Sequence, residues 1–167
     1  MTILVLVAFS SVLLMAAGSD FLRFRIPNTL VLVLLIMYPA WVMVSPQPQP
    51  WLMSLGIFAI TLLAALLAFR FGLLGAGDGK LLAAVLLWAG SEHLLQVLLV
   101  TAFTGGVLAL LYGTAARFVL ANTLERIGTH SLRDNLLTER LPYGVAIATG
   151  GITFAVGVLR HSPGIHF

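Results

Sequence analysis

Two carboxylates stand apart from the other ionisable side chains of this sequence. Its six acids are Asp20, Asp78, Glu92, Glu125, Asp134 and Glu139. Glu125, Asp134 and Glu139 lie among arginines in the polar stretch 117–140, where solvated pairing explains them, and Glu92 sits beside His93 in a short turn. Asp20 and Asp78 instead adjoin the ends of otherwise apolar runs, and ionisable groups close to hydrocarbon default to a functional reading. Two aspartates that share one proton can split a peptide bond without a metal or a covalent intermediate. The ionised carboxylate deprotonates water while the neutral one donates to the carbonyl oxygen. Like charges a few ångströms apart do not both ionise cheaply, so the proton stays with the pair. Taken singly, each acid also has a structural reading. Asp20 could pair with Arg23, and Asp78 could cap a helix starting near Lys80.

Competing chemistries fail on residue type or spacing. There is no cysteine, which excludes a thiolate nucleophile and cysteine-ligated zinc or iron–sulfur sites. The sequence assigns neither a metal nor a cofactor. The stretch Gly72-Leu73-Leu74-Gly75-Ala76-Gly77-Asp78-Gly79-Lys80 invites two phosphate-binding readings, and both are rejected. A Walker-type loop ending in Gly79-Lys80 would need glycine at position 74 and Ser or Thr at position 81, and both are leucine. A dinucleotide fingerprint starting at Gly75 would need glycine where Lys80 stands. Glycines here permit close approach of another chain and non-helical backbone at a membrane edge.

The elements that must position these aspartates are membrane spans. Only 9% of the 167 residues are charged and 60% are hydrophobic, against about 25% charged in a soluble domain. Apolar runs at 2–18, 29–44, 51–69, 94–116 and 141–159 are near or within the roughly 17–25 residues of a transmembrane helix. With a shorter run at 81–90 that begins inside the membrane at the glycine cluster, the expectation is an all-α membrane protein, a bundle of about six transmembrane helices. The alternative joins 81–116 into one helix with a re-entrant piece. Trp41, Trp51, Tyr38 and Tyr143 fall near span ends, as interfacial aromatics do. The first span is read as retained, because its arginines follow it instead of preceding it. With the N-terminus outside, Arg23, Arg25, Arg70, Lys80, Arg117, Arg126, Arg133 and Arg140 face the cytoplasm and only Arg160 lies outside. That distribution explains the net charge of +3 by topology, without a nucleic-acid partner. It also brings Asp20 and Asp78 to the cytoplasmic face. His93, His161 and His166 fall on the outer side, and only His130 is cytoplasmic. Apolar residues at helical spacing in 117–140 suggest an interfacial helix beside the site.

Three segments resemble the type IV prepilin peptidases. Asp20-Phe21-Leu22-Arg23-Phe24-Arg25-Ile26-Pro27-Asn28 is similar to their first-aspartate motif. Leu74-Gly75-Ala76-Gly77-Asp78-Gly79-Lys80-Leu81-Leu82 resembles their GxGD motif, and Leu141-Pro142-Tyr143-Gly144-Val145-Ala146 the start of their last conserved helix. A bare GxGD is weak, but an Asp…Arg-x-Ile-Pro-Asn segment upstream in a small polytopic chain makes the pattern specific. The resemblance implies a GxGD-type intramembrane aspartic protease with Asp20 and Asp78 as the catalytic pair. Gly75 and Gly77 are the motif glycines, with Gly79, Lys80, Arg25, Pro27 and Asn28 in support. It implies cleavage of the short basic leader of prepilins and pseudopilins at the cytoplasmic side of a bacterial inner membrane, in contact with lipid and with pilus or secretion machinery. Long members carry a cytoplasmic four-cysteine zinc domain and N-methylate their product. This sequence looks like the short, peptidase-only members of Tad/Flp pili, a single transmembrane peptidase domain over 1–167. The competing functional readings are a proton- or ion-coupled transporter using the same aspartates and a structural subunit of a secretion assembly.

Overall fold

The computed structural model describes residues 1–46, 48–113 and 141–161, and within them every regular element is a helix. The stretch 117–140, expected to carry an interfacial helix, lies outside the described residues. The helices are α1 (Thr2–Arg23), α2 (Asn28–Val44), α3 (Trp51–Arg70), α4 (Ala76–Gly113) and α5 (Tyr143–His161). All but α2 are long and apolar enough to cross a bilayer, and α2 reaches 17 residues.

α4 is not one straight rod. As a continuous helix its 38 residues would reach ~57 Å, far beyond a hydrocarbon core. It breaks at Gly90, where φ is 61° and ψ is −168°, a backbone geometry that glycine adopts without a side-chain clash. Past the break the chain runs back, because Leu74 and Leu82 share a cavity with Thr101, Gly105 and Ala109. Counting its two arms separately gives six rods among the described residues, as expected. Two details differ from the expectation. The first arm starts at Ala76 instead of Leu81, and helix continues through 91–93, so the reversal takes one residue and not a turn. α1 likewise runs past Gly18 to Arg23, which puts Asp20 inside its last turn instead of in a connection.

The core joins α1, α2, α4 and α5 through four aromatic rings. Trp88 stacks on Phe9 with centroids 4.4 Å apart and on Trp41 at 5.9 Å. Phe154 meets Phe9 and Trp41 edge-on at 6.1 and 6.0 Å. Buried indoles need acceptors, and Trp41 Nε1 donates to the Trp88 carbonyl at 3.2 Å while Trp88 Nε1 donates to the Leu34 carbonyl at 2.9 Å. Trp41 and Tyr38 are therefore core residues, 1% and 7% exposed, and not the interfacial anchors their positions near a span end suggested. Small residues on α5 bring its neighbours close. A methyl group on Gly151 would collide with Leu13 of α1, and one on Gly150 with Thr101 of α4. α3 is peripheral: it packs on α4 and buries only Ser54 and Ala65.

Candidate active site

The end of α1 and the starts of α2, α4 and α5 meet at one end of the bundle. α1 stops at Phe24, which takes a left-handed conformation (φ 49°, ψ 37°) and donates its N–H to the Asp20 carbonyl at 2.8 Å. A non-glycine residue there costs about 1–2 kcal/mol. The strained turn is held by Ser19, whose Oγ donates to the Arg25 carbonyl at 2.8 Å. It delivers Ile26 and Pro27 beneath the start of α2.

Asp20 is 5% exposed. A buried carboxylate needs a partner, and the partner is a backbone group of α5 instead of the Arg23 guanidinium. The N–H of Gly144 donates to Asp20 Oδ2 at 2.7 Å. Gly144 lies in the first turn of α5, where amides point out of the helix and the dipole favours negative charge. A Cβ at this position would stand 2.9 Å from both Cβ and Oδ2 of Asp20, so glycine is required for the contact.

Asp78 is half-buried and occupies the third position of α4. Its carboxylate turns back to accept the N–H of Gly75, the residue preceding the helix, which is one half of a capping box. The three motif glycines serve packing around it. A side chain on Gly75 would strike Asp78 Oδ2 itself. A Cβ on Gly77 would lie 3.3 Å from Ile26 Cβ, and one on Gly79 would lie 2.5 Å from Ala65 Cβ of α3.

The two aspartates, 58 positions apart in sequence, line one cavity of about 530 Å³. Its walls include Arg23, Arg25, Pro27 and Asn28 on one side and Gly75 and Gly77 on the other. Two carboxyl groups lining one cleft of peptide-binding size, each with one backbone N–H, are the residue types that acid–base chemistry on a peptide bond uses. Among the described residues no three of His, Asp and Glu converge as a metal site would require.

A family model matches residues 7–110, described as the type IV leader peptidase family. The chain belongs to the type IV leader peptidase family. No curated protein and no solved structure matches the chain. The match spans both aspartates and the cavity between them, and with four long apolar helices it describes a multi-pass membrane peptidase.

Of the residues singled out in the sequence of this peptidase, Asp20, Asp78, Gly75, Gly77, Arg25, Pro27 and Asn28 all line the cavity. Gly79 and Lys80 do not. Gly79 faces α3, and Lys80 reaches sideways so that its Nζ donates to Asn28 Oδ1 at 3.2 Å, tying α4 to the start of α2. Sequence reasoning quoted Gly144 and Phe24 within the family-like segments without giving either a role, and it missed Ser19. Gly144 had a visible signal, a glycine two residues after Pro142 at the start of an apolar run, but nothing in the sequence named Asp20 as its partner.

Proposed function

We propose that this peptidase removes the short basic leader of type IV prepilins and pseudopilins, those of Tad/Flp-like pili in particular, by water attack between Asp20 and Asp78. The observation that carries the reading is the convergence of these two carboxyl groups on one cavity at the bundle end. The ionised aspartate takes a proton from water as its oxygen bonds to the scissile carbonyl carbon. The protonated aspartate donates to the carbonyl oxygen, and collapse of the tetrahedral intermediate breaks the C–N bond with a proton delivered to the leaving amine. No metal or cofactor enters this scheme.

A prepilin has a basic leader in the cytosol and a hydrophobic helix in the bilayer, so its scissile bond lies at the cytoplasmic membrane surface. The excess of Lys and Arg in the connections on the aspartate side supports that side being cytoplasmic and the membrane being a bacterial inner membrane. The position of both aspartates at helix ends also argues against an ion-coupled transporter, whose carboxylates sit near the bilayer midplane.

The deciding experiment is leader release from a membrane-embedded prepilin by the purified chain. Cleavage should be lost in both Asp20→Asn and Asp78→Asn with insertion unchanged. Full activity in either variant would return these aspartates to structural roles.

A further inference from the structure

α2 and α3 follow one another in the chain, yet each packs mainly on other helices. α2 packs on α1 and α4, and α3 packs on α4. The first arm of α4 floors the space along one face of α3. Two cavities line it. The outer one touches Trp51, Leu55 and Phe58 of α3, and the inner one touches Leu62, Leu66 and Phe69. These six positions recur every three or four residues, so they form one stripe of α3. The outer cavity lies between α2 and α3 and the inner one between α3 and the start of α4, so together they form an apolar groove along one face of α3. From Trp51 to Phe69 the stripe runs ~27 Å, close to the thickness of a hydrocarbon core.

The inner cavity adjoins the aspartate cavity at Ala76, which lines both. A helix lying in the groove would deliver the backbone at its cytoplasmic end to Asp78, two residues from Ala76. The wall formed by α2 also carries polarity that lipid tails cannot answer. Pro39, inside α2, offers no N–H to the Leu35 carbonyl, and both residues line the outer cavity. An unpaired carbonyl in hydrocarbon is costly, and a polar side chain on an incoming helix would satisfy it.

We infer that the groove along α3, walled by α2 in its outer half and by the start of α4 in its inner half, is the docking site of the substrate's hydrophobic helix, which enters sideways from the bilayer with its leader end at the aspartates. This rests on the peptidase reading above and adds the route and orientation of the substrate. The occupant is a single apolar helix about as long as the bilayer is thick, extended at its cytoplasmic end by a short unwound segment.

The absence of cysteine from the sequence makes the test direct. Leu55→Cys and Leu66→Cys put one thiol in each half of the groove. Leu14→Cys on α1 and Phe103→Cys on α4 put thiols on other lipid-facing surfaces, where the native side chains are 61% and 75% exposed. Each full-length variant is reconstituted with a synthetic prepilin peptide, a basic leader followed by an apolar helix with one cysteine, and then oxidised. Cleavage of the cysteine-free peptide is measured in parallel. Leu66→Cys should cross-link to a cysteine near the leader end of the helix, Leu55→Cys to one near the far end, and Leu14→Cys and Phe103→Cys to neither. Cross-linking without preference among the four, or only at Leu14 and Phe103, in preparations that still cleave would overturn the groove and leave the peptidase reading standing. Absence of cleavage in all four variants and in the unmodified chain would overturn both.

Discussion

Gly144→Ala is a one-methyl test of how Asp20 is held. The added Cβ would stand 2.9 Å from Asp20 Cβ and Oδ2 and 3.0 Å from Ile26 Cδ1. Carbon atoms rest at about 3.5–4.0 Å, so the carboxylate or α5 must move by roughly 0.6–1 Å. Ile26 crowds the methyl as well, which limits how the strain can be shared. A shift of about 1 Å in a reacting group costs on the order of 10²-fold in rate, so leader release should fall by about that factor. The same substitution should not unfold the protein, because alanine within a helix is worth roughly 0.5–1 kcal/mol over glycine and offsets part of the clash. Gly106→Ala is the matched control, since a Cβ there meets nothing within 4 Å. Initial rates of leader release, with thermal unfolding followed in the same detergent, separate the two effects. Activity of Gly144→Ala within twofold of Gly106→Ala, a margin set well inside the ~10²-fold expected, would refute the claim that this contact positions Asp20.

The double variant Asp20→Asn/Asp78→Asn should be no less active than either single variant, because members of one catalytic unit are strongly non-additive; multiplying losses in the leader-release assay would mean separate roles. Asp20→Glu and Asp78→Glu should also fail in that assay, whereas Glu92→Gln and Glu125→Gln should leave it unchanged. Leader release should survive exhaustive chelation, and no methyl group should pass from S-adenosylmethionine to the new N-terminus; loss on chelation restored by zinc would overturn the two-carboxylate scheme. Reporter fusions at Gly79 and Thr129 should read cytoplasmic and those at Gln47 and Phe167 periplasmic, and the reverse pattern would put the aspartates on the wrong face for a prepilin leader.

The aspartates were legible in the sequence because their anomaly is local. An acid at the edge of an apolar run is conspicuous without any knowledge of the fold, and so is a cluster of glycines before a lysine. The spans were legible for the same reason, since hydropathy needs only a window of neighbours. What stayed hidden depends on residues far apart. Gly144 holds a residue 124 positions away, and a glycine at a helix start carries no mark of its partner. Trp41 reads as an interfacial anchor from its place in α2, but the Trp88 carbonyl, 47 positions on, gives its indole N–H an acceptor inside the bundle. The reversal after 81–90 was expected as a turn at 91–93, and what stayed hidden is that Gly90 alone makes it with helix on both sides. A lone glycine in a long apolar run is as compatible with a straight helix as with a reversal, and packing decides between them.

The motif glycines show how close a correct residue choice can lie to an incomplete reason. Their missing side chains suggest access, room for another chain to approach the carboxylate. Two of them instead admit the protein's own parts: Gly77 faces Ile26 in the turn after α1, and Gly79 faces Ala65 on α3. Successive residues of a helix are about 100° apart, so positions 77 and 79 point to sides roughly 200° apart with residue 78 between them. The first turn of α4 is thus clamped between that turn and α3, and Asp78 occupies the direction left open, towards the cavity it lines with Asp20. Glycine at alternate positions is what such a clamp demands, because a Cβ on either side would lever the helix away from its neighbour and swing the carboxylate with it. Gly75 completes the arrangement by letting Asp78 fold back onto the N–H that precedes the helix. The spacing G-x-G-D-G is therefore a packing requirement that fixes the direction of one carboxyl group, while Gly144 does the same for the other from the far end of the chain.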